Sequence, residues 1–299
     1  MSFDNAYESI TENNDDQHWA FGTGFDDPLS HVDRAVPSGV DNEDLAAYCL
    51  MLGDDALILS QRLAEWCSRA PELEEDVAIA NIALDLLGQA RMLLTRAGEV
   101  EAAGRDEDAL AYLRDEHEFR NVRLVELDCG PGPGGDFATT IARLLLFSTW
   151  RLALLDHLTA SRDPVLAAIA AKGVKELAYH RDHAAQWTLR LAGGTDHSRT
   201  RMEAGLAKIW PLAEELFTPH EIELRLATAG VAVDPATLTP EVDAVLDRVL
   251  SAAGLTRPQT PAMSAVAGHS GRHGVHTEAM GYLLAELQHL ARSLPGATW

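Results

Sequence analysis

Long Ala- and Leu-rich stretches between residues 41 and 193 constrain the fold of this chain more than any other feature. Such residues favour helix, whereas the β-branched runs that favour strands are scarce. Asp41 and the pair Asp163-Pro164 are typical helix starts, since an Asp side chain caps the first turn and proline fits its first position. The pattern predicts an all-α fold with four long helices at about 41–69, 71–98, 137–160 and 163–192.

The remaining segments are shorter. Residues 106–127 indicate a helical crossover between the second and third long helices, and the Gly- and Pro-rich stretch 128–136 must be a loop. We expect smaller helices at about 196–217, 220–229, 240–253 and 276–292, with a Gly-, Pro- and His-rich loop over 255–275. Two long hairpins joined by a crossover are typical of a ferritin-like four-helix bundle, here with additional C-terminal helices.

Residues 1–40 are polar, acidic and aperiodic, and we interpret them as a disordered tail before a helical domain over 41–299. The 299 residues carry a net charge of −22, which argues against binding to nucleic acid or to anionic membranes. The three cysteines form no CxxC pair and no signal-peptide pattern is visible, so we expect a cytoplasmic protein. No apolar run approaches the roughly 18 residues that a membrane span needs.

A carboxylate-bridged diiron centre is the chemistry usually built into this architecture. It needs one Glu from each of two helices and a Glu-x-x-His from each of the other two. Residues equally far from a hairpin turn lie at the same level, which places Asp55, Asp85, Ser148 and Glu176 at comparable depth. Glu176 is the best candidate ligand, because it shares a helical face with the apolar Ile169 and is expected to point inward.

The rest of the diiron pattern is missing. Gly88 stands three residues after Asp85, and Tyr179 stands three residues after Glu176, where histidines are required. The third long helix has no Asp or Glu between residues 136 and 156. The sequence therefore predicts a chain that holds no metal or other cofactor and carries no catalytic residue.

His180 completes the set of degenerate ligand positions, which are Asp55, Asp85, Glu176 and His180. A histidine on a buried helical face more often bonds a carboxylate than a metal, and Glu176 lies one turn before His180 as a possible partner. The alternative is a divergent ferritin-like metal-dependent oxygenase or oxidase that uses these same four residues.

Two further features indicate contacts with other molecules. Arg272, His273 and His276 lie at the entry to the last helix, and we favour an interface or an acidic ligand there over a metal, since a guanidinium and a helix N-terminus both attract anions. The second long helix has an apolar arc of roughly 200°, wider than a one-sided surface helix needs. Such a helix is buried inside its own bundle or against a partner.

Several segments between residues 45 and 299 resemble the C subunits of bacterial phenylacetyl-CoA 1,2-epoxidases (phenylacetate-CoA oxygenases). They include LGDDALIL at 52–59, ANIALDLLGQAR at 80–91, KELAYH at 175–180, GRHGVHTE at 271–278 and PGATW at 295–299. The resemblance implies a structural ferritin-like subunit that pairs with a related A subunit. It further implies that the diiron centre lies in that A subunit, which also binds the CoA thioester, and that a small B subunit and a reductase complete the system.

Overall fold

The structure is a computed structural model that describes residues 29–132, 135–295 and 297. The chain divides into a short unit, residues 1–33, and a second unit, residues 34–299, which carries the helices. Of the short unit only residues 29–33 are described, and they contain a turn. Residues 34–41 of the second unit are irregular, and the rest of the predicted tail lies outside the described residues.

Two long hairpins form the bundle. The first pairs α1 (Asn42–Ala64) with α2 (Leu73–Val100). The second pairs α5 (Phe137–Leu158) with α6 (Pro164–Gly193). Between them, α3 (Glu107–Tyr112), a 3₁₀ turn at Glu116–Glu118 and α4 (Arg123–Glu126) make the predicted crossover.

Helix starts follow the predicted capping residues. The carboxylate of Asp41 accepts hydrogen bonds from the backbone N–H groups of Glu43 and Asp44, at 2.8 and 3.1 Å. That of Asp163 accepts one from Leu166, at 2.9 Å. These bonds satisfy N–H groups that have no partner within a first helical turn.

The turn of the first hairpin is longer than the sequence predicts, because α1 ends at Ala64 and α2 starts at Leu73. The backbone N–H groups of Trp66 and Cys67 bond carbonyls three residues back instead of four, which tightens the chain out of the α-helix. Ser68 then adopts a left-handed conformation, with φ +63°, and ends the helical path.

The C-terminal helices pack around the bundle as α7 (Asp196–Ile209), α8 (Glu221–Thr228), α9 (Thr239–Ala252) and α10 (Glu278–Ser293). Short 3₁₀ turns join them, one of which covers Gly271–His273. The described residues contain no strand, only an isolated bridge between Val266 and His269. The predicted all-α, ferritin-like architecture is therefore confirmed.

Two described helices, α2 and α5, are long and apolar enough to cross a membrane if length and composition alone are considered. Core helices of globular proteins pass the same test, and the apolar window of α5 is 94% buried inside the bundle. That of α2 is only 44% buried. The wide apolar arc of α2 is thus not covered by its own bundle on every side.

Candidate functional site

Asp55 on α1 is fully buried at the centre of the bundle. Its two carboxylate oxygens accept hydrogen bonds from Nη1 and Nη2 of Arg272, at 3.0 and 2.8 Å, and the N–H of Val122 donates a third bond at 2.8 Å. Burial raises the pKa of the Asp55 carboxyl, and the guanidinium groups of Arg272 and Arg151 counteract part of that rise. Asp55 is therefore held by protein donors on both of its oxygens.

Arg151 extends from α5 into the same region and is also fully buried. Its Nε donates to Oε1 of Gln89 at 3.1 Å, and its Nη2 donates to the carbonyl of Leu52 at 3.1 Å. Its Nη1 lies 4.0 Å from Oδ2 of Asp55. Burial lowers the pKa of the Arg151 guanidinium to about 10, so this side chain remains charged at neutral pH.

Gln89 connects Arg151 to α6, the fourth long helix, through hydrogen bonds. Its Nε2 donates to Oε2 of Glu176 at 2.9 Å, while Nζ of Lys172 donates to the other oxygen at 2.7 Å. A Cβ on Gly173 would lie 2.5 Å from Leu155 and 3.5 Å from the Gln89 amide, so glycine lets α6 approach closely here.

His180 pairs with Asp85 across the gap between α6 and α2, with 3.0 Å between Nε2 and Oδ2. Glu176 is therefore the wrong partner for His180, because its own oxygens are turned towards Gln89 and Lys172. Burial lowers the pKa of His180 and the Asp85 hydrogen bond opposes that shift, which leaves the ring neutral at pH 7.

The four predicted ligand positions are thus all engaged with protein groups. Asp55 and Glu176 lie on either side of Arg151 and Gln89, whereas Asp85 and His180 form a separate pair. In the part of the chain that the structure describes, no group of three or more His, Cys, Asp or Glu side chains is placed to hold a metal ion. A diiron centre needs several free carboxylate and imidazole donors, so this donor set does not fit one.

The predicted ligand loop has a different environment from the expected one. Arg272 is buried and donates to the carbonyls of Met51 and Arg120, both at 2.9 Å, in addition to its bonds with Asp55. We expected an anionic ligand or another subunit at this position. The structure places the guanidinium inside the chain instead, because the loop turns inward and brings Arg272 to the buried carboxylate of Asp55.

His276 also lies inside, with its side chain fully buried. Its Nδ1 lies 2.9 Å from Oε2 of Glu126 and its Nε2 lies 3.1 Å from the carbonyl of Phe119. Burial acts to lower the pKa of His276, but the Glu126 hydrogen bond and charge outweigh it, and the net shift is upward. When the ring is protonated, both of its nitrogens donate and both acceptors are satisfied.

His273 is exposed, and its ring lies 4.6 Å from that of His220 and 4.8 Å from that of His269. Nδ1 of His273 accepts from the N–H of Ser270, and Nδ1 of His220 accepts from the N–H of Ile222. Both rings are therefore used as neutral caps of the local backbone.

Sequence reasoning missed Arg151 and Gln89, the two residues at the centre of the network. One signal was available, namely a single charged residue, Arg151, within the stretch 144–155, in which Ser148 and Thr149 are the other polar residues. A charged residue at the centre of a helix that is apolar on every side must be paired when it is buried.

Comparisons with known proteins agree with the resemblance seen in the sequence segments. The family model described as Phenylacetic acid catabolic protein matches residues 31–299. The C subunit of the 1,2-phenylacetyl-CoA epoxidase of Escherichia coli (strain K12) is 48% identical over 255 residues, which cover 85% of this chain and 99% of that relative.

Proposed function

The chain belongs to the phenylacetic acid catabolic protein family, and we propose that it is the non-catalytic structural subunit of a multicomponent phenylacetyl-CoA ring 1,2-epoxidase. In this role it binds and supports a diiron catalytic A subunit, and a small B subunit and a reductase complete the system. Its relative at 48% identity is named as the C subunit of such an epoxidase, which supports both the reaction and a hetero-oligomer. The acidic composition favours a cytoplasmic complex without nucleic acid or membrane.

One observation carries the non-catalytic role. The inward-facing oxygens that a metal would need are bonded to arginine, glutamine and lysine donors, and the third long helix contributes the guanidinium of Arg151 between Asp55 and Glu176 and no carboxylate at that level. A divalent cation and a guanidinium compete for the same oxygens, so the bundle supports structure and not metal chemistry.

The exposed face of α2 supports the proposal that this chain binds a partner subunit. Leu73, Val77, Leu84 and Leu87 are 75, 54, 63 and 42% exposed, and they follow one another along a single helical face. We call these four residues the α2 stripe. A continuous apolar face of this kind is typical of protein–protein contact.

A groove beside the α2 stripe extends this face. It has a volume of about 320 Å³ and lies between α1, α2, the end of α3 and the second half of α10. Leu84 and Leu87 line it together with Tyr112 and Leu287. The ferritin-like A subunit is our proposed occupant, since an apolar face between helices suits the packing of a further helix.

Iron counting in the reconstituted complex tests the proposed function. This chain is purified alone and together with an A-type subunit, and iron is measured per polypeptide in both samples. We expect no stoichiometric iron in the chain alone, iron at the level of the A subunit in the complex, and higher epoxidase activity or solubility of the A subunit when this chain is present.

Substitution of the best ligand candidate provides the control. Glu176→Ala should leave the iron content and the turnover of the complex unchanged. Its expected effect is a lower stability of this chain. Iron bound by the isolated chain and removed by Glu176→Ala would instead identify a divergent metal-dependent oxygenase or oxidase.

A further inference from the structure

The guanidinium of Arg151 lies where the four long helices of the bundle meet. It extends from α5, bonds the Leu52 carbonyl of α1 and bonds the Gln89 side chain of α2. Gln89 then bonds Glu176 of α6. Arg151 and Gln89 therefore join all four helices through three hydrogen bonds of 2.9 to 3.1 Å.

The positive charge at this point is already supplied by two arginine side chains of the protein. Arg151 and Arg272 both lie beside the single carboxylate of Asp55, with Nη1 of Arg151 at 4.0 Å and Nη2 of Arg272 at 2.8 Å. A divalent ion in the same space would be repelled by two guanidinium groups, at short range and in a medium of low dielectric constant. It would also find both Asp55 oxygens hydrogen-bonded.

We propose that Arg151 occupies the cation position of this bundle: its guanidinium, together with Gln89, ties the four helices together as a metal centre would and keeps divalent ions out. This goes beyond the proposed function, because it concerns the folding of this chain. It applies whether or not a catalytic subunit binds. Folding of the chain then requires no metal.

Chemical rescue tests this assignment on the full chain. Arg151→Ala removes the guanidinium and opens space for a small cation, and Arg151→Lys keeps the charge without the planar donor geometry. Arg143→Ala is the matched control. Arg143 lies on the same helix and is equally buried, but it bonds carbonyls of the crossover segment at residues 125 and 127.

Thermal and urea unfolding are measured at neutral pH with EDTA, with Mn²⁺, and with millimolar methylguanidinium. We expect Arg151→Ala to lower the folding equilibrium constant at least about tenfold, since a buried hydrogen bond to a charged group is lost. We expect Arg151→Lys to restore part of this loss. Methylguanidinium should raise the unfolding temperature of Arg151→Ala and leave the wild type and Arg143→Ala unchanged.

The wild type should unfold at the same temperature with EDTA and with Mn²⁺, and should retain neither Mn²⁺ nor iron after dialysis. A stoichiometric ion in the wild type would overturn the proposal, and so would wild-type stability of Arg151→Ala. An equal response of Arg151→Ala and Arg143→Ala to methylguanidinium would do the same.

A second set of variants keeps the question decidable if Arg151→Ala does not fold. Arg151→Lys, Gln89→Leu and the double variant form a cycle in which the two residues act as one unit if the proposal holds. The factor by which the double variant lowers the folding equilibrium constant should then be smaller than the product of the two factors measured for the single variants. Independent, multiplicative losses would overturn the proposal.

Discussion

Asp54 and Asp55 are adjacent residues of α1, yet they bind arginines that lie in different parts of the sequence. Asp54 forms a bidentate ion pair with Arg114 of the crossover, with one N–O distance of 3.0 Å. Asp55 forms its pair with Arg272 of the C-terminal loop. Consecutive helical residues point about 100° apart, so the two carboxylates fasten two different segments to the same helix.

Removing one partner of such a pair leaves an uncompensated buried charge. We expect Asp55→Asn to lower the free energy of unfolding by about 3–5 kcal/mol, because Arg272 stays buried without its counter-ion. Asp85→Asn is the matched control. The Asp85 side chain is 38% exposed, so water compensates and the loss should stay within about 1 kcal/mol.

Urea denaturation at neutral pH measures both variants. Equal losses would show that the Asp55–Arg272 pair contributes no more than a half-exposed contact.

At the scale of elements, α2 has two apolar faces. One face contributes Ile82, Leu86 and Leu93 to the core, where they are almost completely buried. The other carries the α2 stripe, whose ends are 14 residues apart and therefore about 21 Å apart along the helix. Only the second face is available to another molecule.

A charge within the α2 stripe should weaken assembly without unfolding the chain. Leu84→Glu should weaken binding to the proposed partner, the catalytic A subunit, at least about tenfold, because a carboxylate at the centre of an apolar contact must be desolvated. Its unfolding temperature should stay near that of the wild type, since the side chain is exposed in the isolated chain. Titration calorimetry or co-purification measures the binding.

Leu224→Glu is the control for this experiment. Leu224 lies on α8 and is also an exposed leucine, at 42%, but it is not part of the stripe. Binding by Leu84→Glu that matches Leu224→Glu would show that the α2 stripe is not the docking surface for the proposed partner.

For the whole molecule, the lowered pKa values of His180 and His220 make stability fall as the pH falls, whereas the raised pKa of His276 acts in the opposite direction. Burial lowers the pKa of His180, and that of His220 is lowered to about 4 by burial and by the nearby His273, Arg272 and Arg120 charges, which Glu221 opposes. A lowered pKa means that the unfolded chain binds the proton more tightly. The stability that His180 and His220 contribute above their unfolded pKa of about 6.5 is therefore lost as the pH falls.

The window for His220 lies between its unfolded pKa of about 6.5 and its folded value of about 4. His220→Asn keeps a good N-cap for α8 but removes the proton-binding site. Between these two pH values the wild type should lose more unfolding free energy than His220→Asn. We expect a difference of about 1 kcal/mol, since the half-buried ring is partly screened by water.

Urea unfolding at a series of pH values gives the two profiles. His180 titrates in both proteins, so a slope remains in the variant. Parallel profiles would show that protonation of His220 does not contribute to the pH dependence of the unfolding free energy.

The sequence by itself determines the helices of this chain and much of its identity. Asp41 and Asp163 mark helix starts because capping depends on neighbouring residues only, and the long bundle helices follow from local propensity and periodicity. The missing Glu-x-x-His pattern is likewise a local property of the chain, as are the segments that indicate the family.

Only the tertiary structure decides which charges meet. Asp55 and Arg272 are 217 residues apart, and Gln89 and Arg151 are 62 residues apart. No spacing rule connects such positions. The folded helices place Arg151 at the bundle centre and bring Arg272 in from a loop for which the sequence predicted an interface or an acidic ligand, because buried carboxylates must pair with cations once the apolar faces have closed.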